Sequence, residues 1–198
     1  SYYDGVPGWS GRSGQIAPPI APGDSFVAKF TPPRAGTFIY HTHMNDIKQL
    51  SSGLYGPLIV LETGQTYDPV RDRILVFSRG GPTDEAPLWL DGSSPPKPIE
   101  LVSGVKYRFR FINITPNYTV LVSLVRDTSL VLWRAIAKDG ADLPVIQATV
   151  RPARQVISVG ETYDFEFHPT SVGDYRLDLL KRKGVTPEIR FQAEVRVR

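Results

Sequence analysis

Eighteen prolines and seventeen glycines cut this chain of 198 residues into short segments rich in Val, Ile, Phe, Tyr and Thr, and that punctuation constrains the fold more than any other feature. Proline fixes φ and removes a donor, while glycine opens tight turns, so both interrupt regular structure wherever they recur. No stretch carries a long 3.6-residue apolar stripe with caps at its ends. Short β-branched and aromatic runs bounded by turn residues read as strands, and an all-β fold follows.

Before residue 64 the expected strands are Phe26 to Phe30, Thr37 to His41 and Pro57 to Leu61, the first two separated by the turn Pro32-Pro33-Arg34-Ala35-Gly36. Three strands do not close a sandwich, so this part should need a partner or its own missing half. Thr63-Gly64-Gln65-Thr66-Tyr67-Asp68-Pro69 reads as a linker, which divides the chain into units 1–64 and 65–198. The second unit opens with Arg73 to Phe77 and continues through Tyr107 to Ile112, Thr119 to Val125, Leu130 to Ile136, Val156 to Val159, Thr162 to Phe167, Tyr175 to Leu180 and Ile189 to Val197. That many short strands predict a complete β-sandwich.

Tyr107-Arg108-Phe109-Arg110-Phe111 and Tyr163-Asp164-Phe165-Glu166-Phe167 alternate aromatic with charged residues, so each strand is expected to have one dry and one wet face. Their charges have mixed sign and form no basic track, which excludes a nucleic-acid stacking platform. The net charge of only +3, with 41% hydrophobic and 22% charged residues, is that of an ordinary globular protein. No apolar run is long enough to form a membrane-spanning helix. Cysteine is absent, which removes disulfides and thiolate metal ligands. The chain opens with Ser1-Tyr2-Tyr3-Asp4 rather than at a translation start, so its first residues carry no information about a signal peptide.

Chemistry concentrates in Tyr40-His41-Thr42-His43, at the end of an expected strand, where residues i and i+2 project from one face. Two neutral imidazoles aimed into one volume can hold copper, zinc, iron or nickel, and the pair alone does not name the metal. Taken alone, a His-x-His pair is more often a surface or hydrogen-bonding feature. The third histidine, His168 in Phe167-His168-Pro169-Thr170, has no second histidine near it in sequence and reads as a surface residue. Asn113-Ile114-Thr115 and Asn117-Tyr118-Thr119 fit a glycosylation acceptor pattern that is common by chance.

The residues around the pair resemble the multicopper oxidase family, the laccases and their bacterial relatives. The resemblance runs through Asp4-Gly5-Val6-Pro7-Gly8, Ile20-Ala21-Pro22-Gly23-Asp24-Ser25-Phe26, Ala35-Gly36-Thr37-Phe38-Ile39-Tyr40-His41-Thr42-His43 and Gly53-Leu54-Tyr55-Gly56-Pro57-Leu58-Ile59-Val60. These are similar to the second half of the family's first cupredoxin domain. Leu88-Trp89-Leu90-Asp91-Gly92, Gly104 through Asn113, Ala137-Lys138-Asp139-Gly140-Ala141 and Gly160-Glu161-Thr162-Tyr163-Asp164 resemble its copper-free middle domain. The fold this implies is a cupredoxin-like, plastocyanin-like Greek-key β-sandwich, one complete domain plus a partial one.

The resemblance implies that His41 and His43 each ligate a different copper of the type 3 pair in a trinuclear cluster, which reduces dioxygen to water with electrons from a reducing substrate. It implies three further His-x-His motifs, supplied by missing cupredoxin segments or another subunit, and an extracytoplasmic setting. Asp4 would assist proton delivery beside the type 2 copper, although an Asp-Gly turn accounts for it equally well. Where the family's electron-entry copper lies beside such a motif, the middle residue is cysteine; Thr42 stands here, so this strand cannot pass electrons through sulfur. Alone, the chain is expected to be inactive. Met44 through Leu50 is longer than in many laccases and is expected to reshape access to the cluster or to a neighbouring subunit. The alternative is a binding or structural module that kept the fold and lost its copper. A copper nitrite reductase is set aside for want of cysteine, and a hydrolase for want of a Gly-x-Ser-x-Gly elbow.

Overall fold

A computed structural model of the chain describes residues 20–42, 45–83, 85–183 and 186–198. Strands dominate it. In chain order they are β1 (Gly36–His41), β2 (Tyr55–Val60), β3 (Asp72–Arg79), β4 (Leu88–Leu90), β5 (Ile99–Leu101), β6 (Tyr107–Asn113), β7 (Thr119–Arg126) and β8 (Ser129–Leu130). The rest are β9 (Leu132–Lys138), β10 (Ala141–Asp142), β11 (Val150–Pro152), β12 (Arg154–Ile157), β13 (Thr162–Phe167), β14 (Gly173–Lys183) and β15 (Thr186–Val197). The one helix among the described residues, α1, spans Asp46–Ser51.

Two sheets face each other. One runs β10-β9-β13-β6-β3-β4, with β11 beside β9, and the other β12-β7-β14-β15-β5, with β8 beside β7. Parallel pairing of β3 with β6 and of β15 with β5 closes the Greek-key connections. The dry faces expected from the alternating pattern meet between the sheets: Phe77, Phe109, Phe111, Phe165 and Trp133 from one side, Val120, Val122, Leu177, Leu179 and Val195 from the other. Trp133 and Phe165 stack at 4.0 Å between centroids, closer than aromatic pairs usually lie. The β9–β10 hairpin turns on Asp139 and Gly140, both at positive φ (49° and 69°), the two-residue turn that Asp-Gly favours.

Two expectations change. No strand forms over 26–30, whose residues are exposed; a run of β-formers becomes a strand only with a ladder to join, and among the described residues β1 and β2 make a sheet of two. The wet face of β6 and β13 is wet only at Arg108 and Glu166, which remain partly exposed. Arg110 and Asp164 are buried there, because the β1–β2 hairpin lies over that face and substitutes a hydroxyl, Thr37, for water. Strands Leu88–Leu90, Ile99–Leu101, Ala141–Asp142 and Val150–Pro152 are too short to give an alternation in sequence.

Candidate metal centre

The run Gly-Thr-Phe-Ile-Tyr-His supplies β-branched and aromatic residues for β1, which pairs antiparallel with β2 from Gly36 opposite Val60 to His41 opposite Tyr55. Tyr40 lies opposite Gly56, and a side chain on that glycine would collide with the tyrosine ring. Hence His41 is the last residue of a strand whose register is fixed by its partner.

Beyond it, the chain is pinned at Thr42 from three directions. Its amide donates to the Leu54 carbonyl at 3.1 Å, its hydroxyl donates to Gln49 Oε1, and its carbonyl lies 2.6 Å from His41 Nδ1. A carbonyl only accepts, so Nδ1 carries the hydrogen, and the lone pair of the neutral ring resides on Nε2. A backbone carbonyl orienting one ring nitrogen so that the other can ligate is the usual outer-shell arrangement of metal-binding histidines. His41 is exposed.

Gln49 reaches Thr42 from α1, the helix that occupies the long stretch after the histidine pair. Leu50 anchors it in an apolar cluster with Val76, Ile112 and Ile114. The helix stops at Gly53, φ 87°, where the amides of Gly53 and Leu54 turn back to the carbonyls of Leu50 and Gln49, a Schellman closure that needs a left-handed residue. Gly53-Leu54 therefore ends the helix and delivers Leu54 to Thr42. Sequence reasoning read Thr42 only as the residue that is not cysteine and missed Gln49 as its partner; hydrogen bonds seven residues apart across a helix cap leave no periodic signal.

Behind the strand lies a buried ionic cluster. Arg110 grips Asp72 through Nε and Nη2 at 2.8 and 3.1 Å, and Arg108 meets Asp164 Oδ2 through Nε and Nη2 at 2.9 and 2.5 Å. Arg110 Nη1 bridges the two halves, 3.1 Å from Asp164 Oδ2 and 2.7 Å from the Thr37 hydroxyl. Two cations meet two anions, so the burial is electrically neutral. Burial pushes the Asp164 carboxyl above its ordinary value, and the guanidinium groups of Arg108 and Arg110 pull it the other way.

Asp4 and His43 lie outside the described residues. Among the described residues no three His, Asp or Glu side chains converge on a point. His168 is exposed and hydrogen-bonded to the Gly104 carbonyl at 3.0 Å, as a surface residue. Asn113 is fully buried, its amide donating to the carbonyls of Tyr118 and Ile157 and its oxygen accepting from Thr115. That acceptor pattern is thus a structural turn with no room for a glycan. No helix among the described residues is long and apolar enough to cross a membrane.

Residues 1–65 match a family model described as multicopper oxidase. Laccase-5 of Trametes versicolor is 24% identical over 201 residues, covering 85% of this chain and 35% of that protein. The chain thus spans about a third of that relative's length. In fold it is similar to a blue copper oxidase from Nitrosomonas europaea, with a TM-score of 0.69 and 21% identity over 90% of this chain and 61% of that one. It is similar as well to the laccase from Botrytis aclada, with a TM-score of 0.67 and 21% identity over 90% of this chain and 38% of the other.

Proposed function

We propose, from the premise that this chain belongs to the laccase-like multicopper oxidases, that its His41 and His43 are copper ligands of an oxygen-reducing centre completed by other cupredoxin segments or another subunit. In the intact, extracytoplasmic enzyme, oxidation of a reducing substrate is coupled to reduction of dioxygen to water, and bound copper supplies the one-electron redox chemistry. Residues 1–64 are the partial first cupredoxin unit and 65–198 the copper-free second one.

The observation that carries this reading is the hydrogen bond from His41 Nδ1 to the Thr42 carbonyl, which orients the ring and places the lone pair of its neutral form on Nε2, the arrangement metal-binding histidines commonly use. Thr42, held by Leu54 and Gln49, keeps that carbonyl in place. His43 would be the second ligand and Asp4 a carboxylate that moves protons, both by family resemblance. Two imidazoles leave any copper with an incomplete shell, so the segment alone has no turnover.

The test is full-length protein purified with excess copper. It is expected to bind copper, take up dioxygen with a phenolic donor, and lose both when His41→Ala and His43→Ala are introduced together. A metal-free, colourless and inactive product would instead favour the copper-free binding module, and oxygen consumption by residues 1–198 alone would contradict the incomplete shell.

A further inference from the structure

A two-stranded hairpin is marginal by itself in water, and among the described residues β1 pairs with β2 alone. The strand that carries His41 therefore takes its position from what it lies on. Thr37, Ile39 and His41 share one face of β1 through the two-residue period, and the first two dock on the sandwich. Ile39 packs on the cluster of Leu50, Val76, Ile112 and Ile114. Such contact is non-directional and by itself would tolerate sliding.

Thr37 is directional. Only 1% exposed, its hydroxyl accepts from Arg110 Nη1 at 2.7 Å and donates to Asp164 Oδ2 at 2.8 Å. Its carbonyl accepts from the Thr162 hydroxyl at 3.0 Å. Neither charged partner depends on Thr37 for its place, since Asp72 holds Arg110 and Arg108 holds Asp164. Both ion pairs that line the slot are made within the sandwich. A slip of one residue would drive Phe38 into the charges and turn His41 to the opposite face.

We propose that Thr37, seated between Arg110 and Asp164, is a positioning residue: it fixes the register of β1 on the second unit's sheet and so the placement of the His41 imidazole four residues on. The functional part of this inference rests on His41 being a copper ligand. The sandwich then acts as the template for a ligand it does not itself carry.

Thr37→Val keeps the shape and the branching but leaves both charges facing a methyl group, whereas Thr37→Ser keeps the hydroxyl. In the metal-free chain, the 15N signals of the His41 ring report whether Nδ1 still holds its hydrogen. Thr37→Val is expected to shift them toward a mixed-tautomer average and Thr37→Ser to leave them unchanged. Titrated with Cu(II) and followed by calorimetry and electron paramagnetic resonance, Thr37→Val is expected to bind about tenfold more weakly with an altered spectrum, and Thr37→Ser to match the parent. Ring signals unchanged in Thr37→Val, or disturbed equally by both substitutions, would overturn the proposal. Cu(II) binding insensitive to His41→Ala would sink the ligand reading instead, leaving the ring signals to decide the positioning.

Discussion

At the scale of single residues, the largest energetic stakes lie in Arg110. It is buried and touches Asp72, Asp164 and Thr37, and removing one member of such a cluster strands the others without solvent. Arg110→Met is expected to lower the unfolding free energy by about 3–5 kcal/mol, read by chemical denaturation. Asn113→Ala should cost about 2–3 kcal/mol by the same measurement, because the Ile157 carbonyl and the Thr115 amide lose the Asn113 side chain, while the Thr115 hydroxyl still donates to the Tyr118 carbonyl. The aromatic core is legible in the sequence, since it follows the two-residue period. Sequence reasoning placed Arg110 and Asp164 in water, because an alternation shows which residues share a face but not what will cover that face. Gln49 and Leu54 were illegible for a related reason: their tie to Thr42 is made by the end of a helix six residues long.

Among the elements, the β9–β10 turn joins two roles. Its tip touches the hairpin, with Arg34 donating to the Gly140 carbonyl at 2.6 Å and Phe38 so close that a Cβ on Gly140 would enter its ring. Gly140→Ala meets both that ring and a φ of 69°, and is expected to lose about 2–3 kcal/mol in a thermal or denaturant melt. Beside the turn, Lys138 lies 2.9 Å from Glu161 and 3.2 Å from Asp139, and its pKa is raised chiefly by the hydrogen bond to Glu161. A lysine whose folded pKa exceeds its unfolded one contributes stability in full below the unfolded value and loses it as pH rises through the folded one. The gap between the parent and Lys138→Met should therefore stay level from neutral pH up to about pH 10.5 and close above it. Partial exposure limits that gap to about 1 kcal/mol. The turn at Asp139-Gly140 follows from the preference of that dipeptide for positive φ, although in the sequence it stands out only as part of the family resemblance. The missing strand at 26–30 was not legible, because propensity says nothing about whether a neighbour is present to pair with.

For the whole molecule, the apolar interior decides what can stand alone. Every member of the large core falls between Leu75 and Val197, so residues 65–198 produced by themselves are expected to unfold in a single cooperative transition. Without Ile39, Leu50 and Tyr55 on the outer cluster, that shorter product should be about 3–5 kcal/mol less stable than the full chain; a broad, non-cooperative melt would show that the hairpin belongs to the same folding unit. The junction between hairpin and sandwich includes the Thr37 hydroxyl seated against Arg110 and Asp164, charges that are paired within the sandwich by Asp72 and Arg108, and ions respond to heat differently from oil. Hydration of charged groups becomes less favourable as temperature rises, so the penalty for keeping Arg110 and Asp164 out of water shrinks on warming. The histidine-bearing hairpin should accordingly hold to its support better in a hot solution than a purely greasy contact of equal strength would.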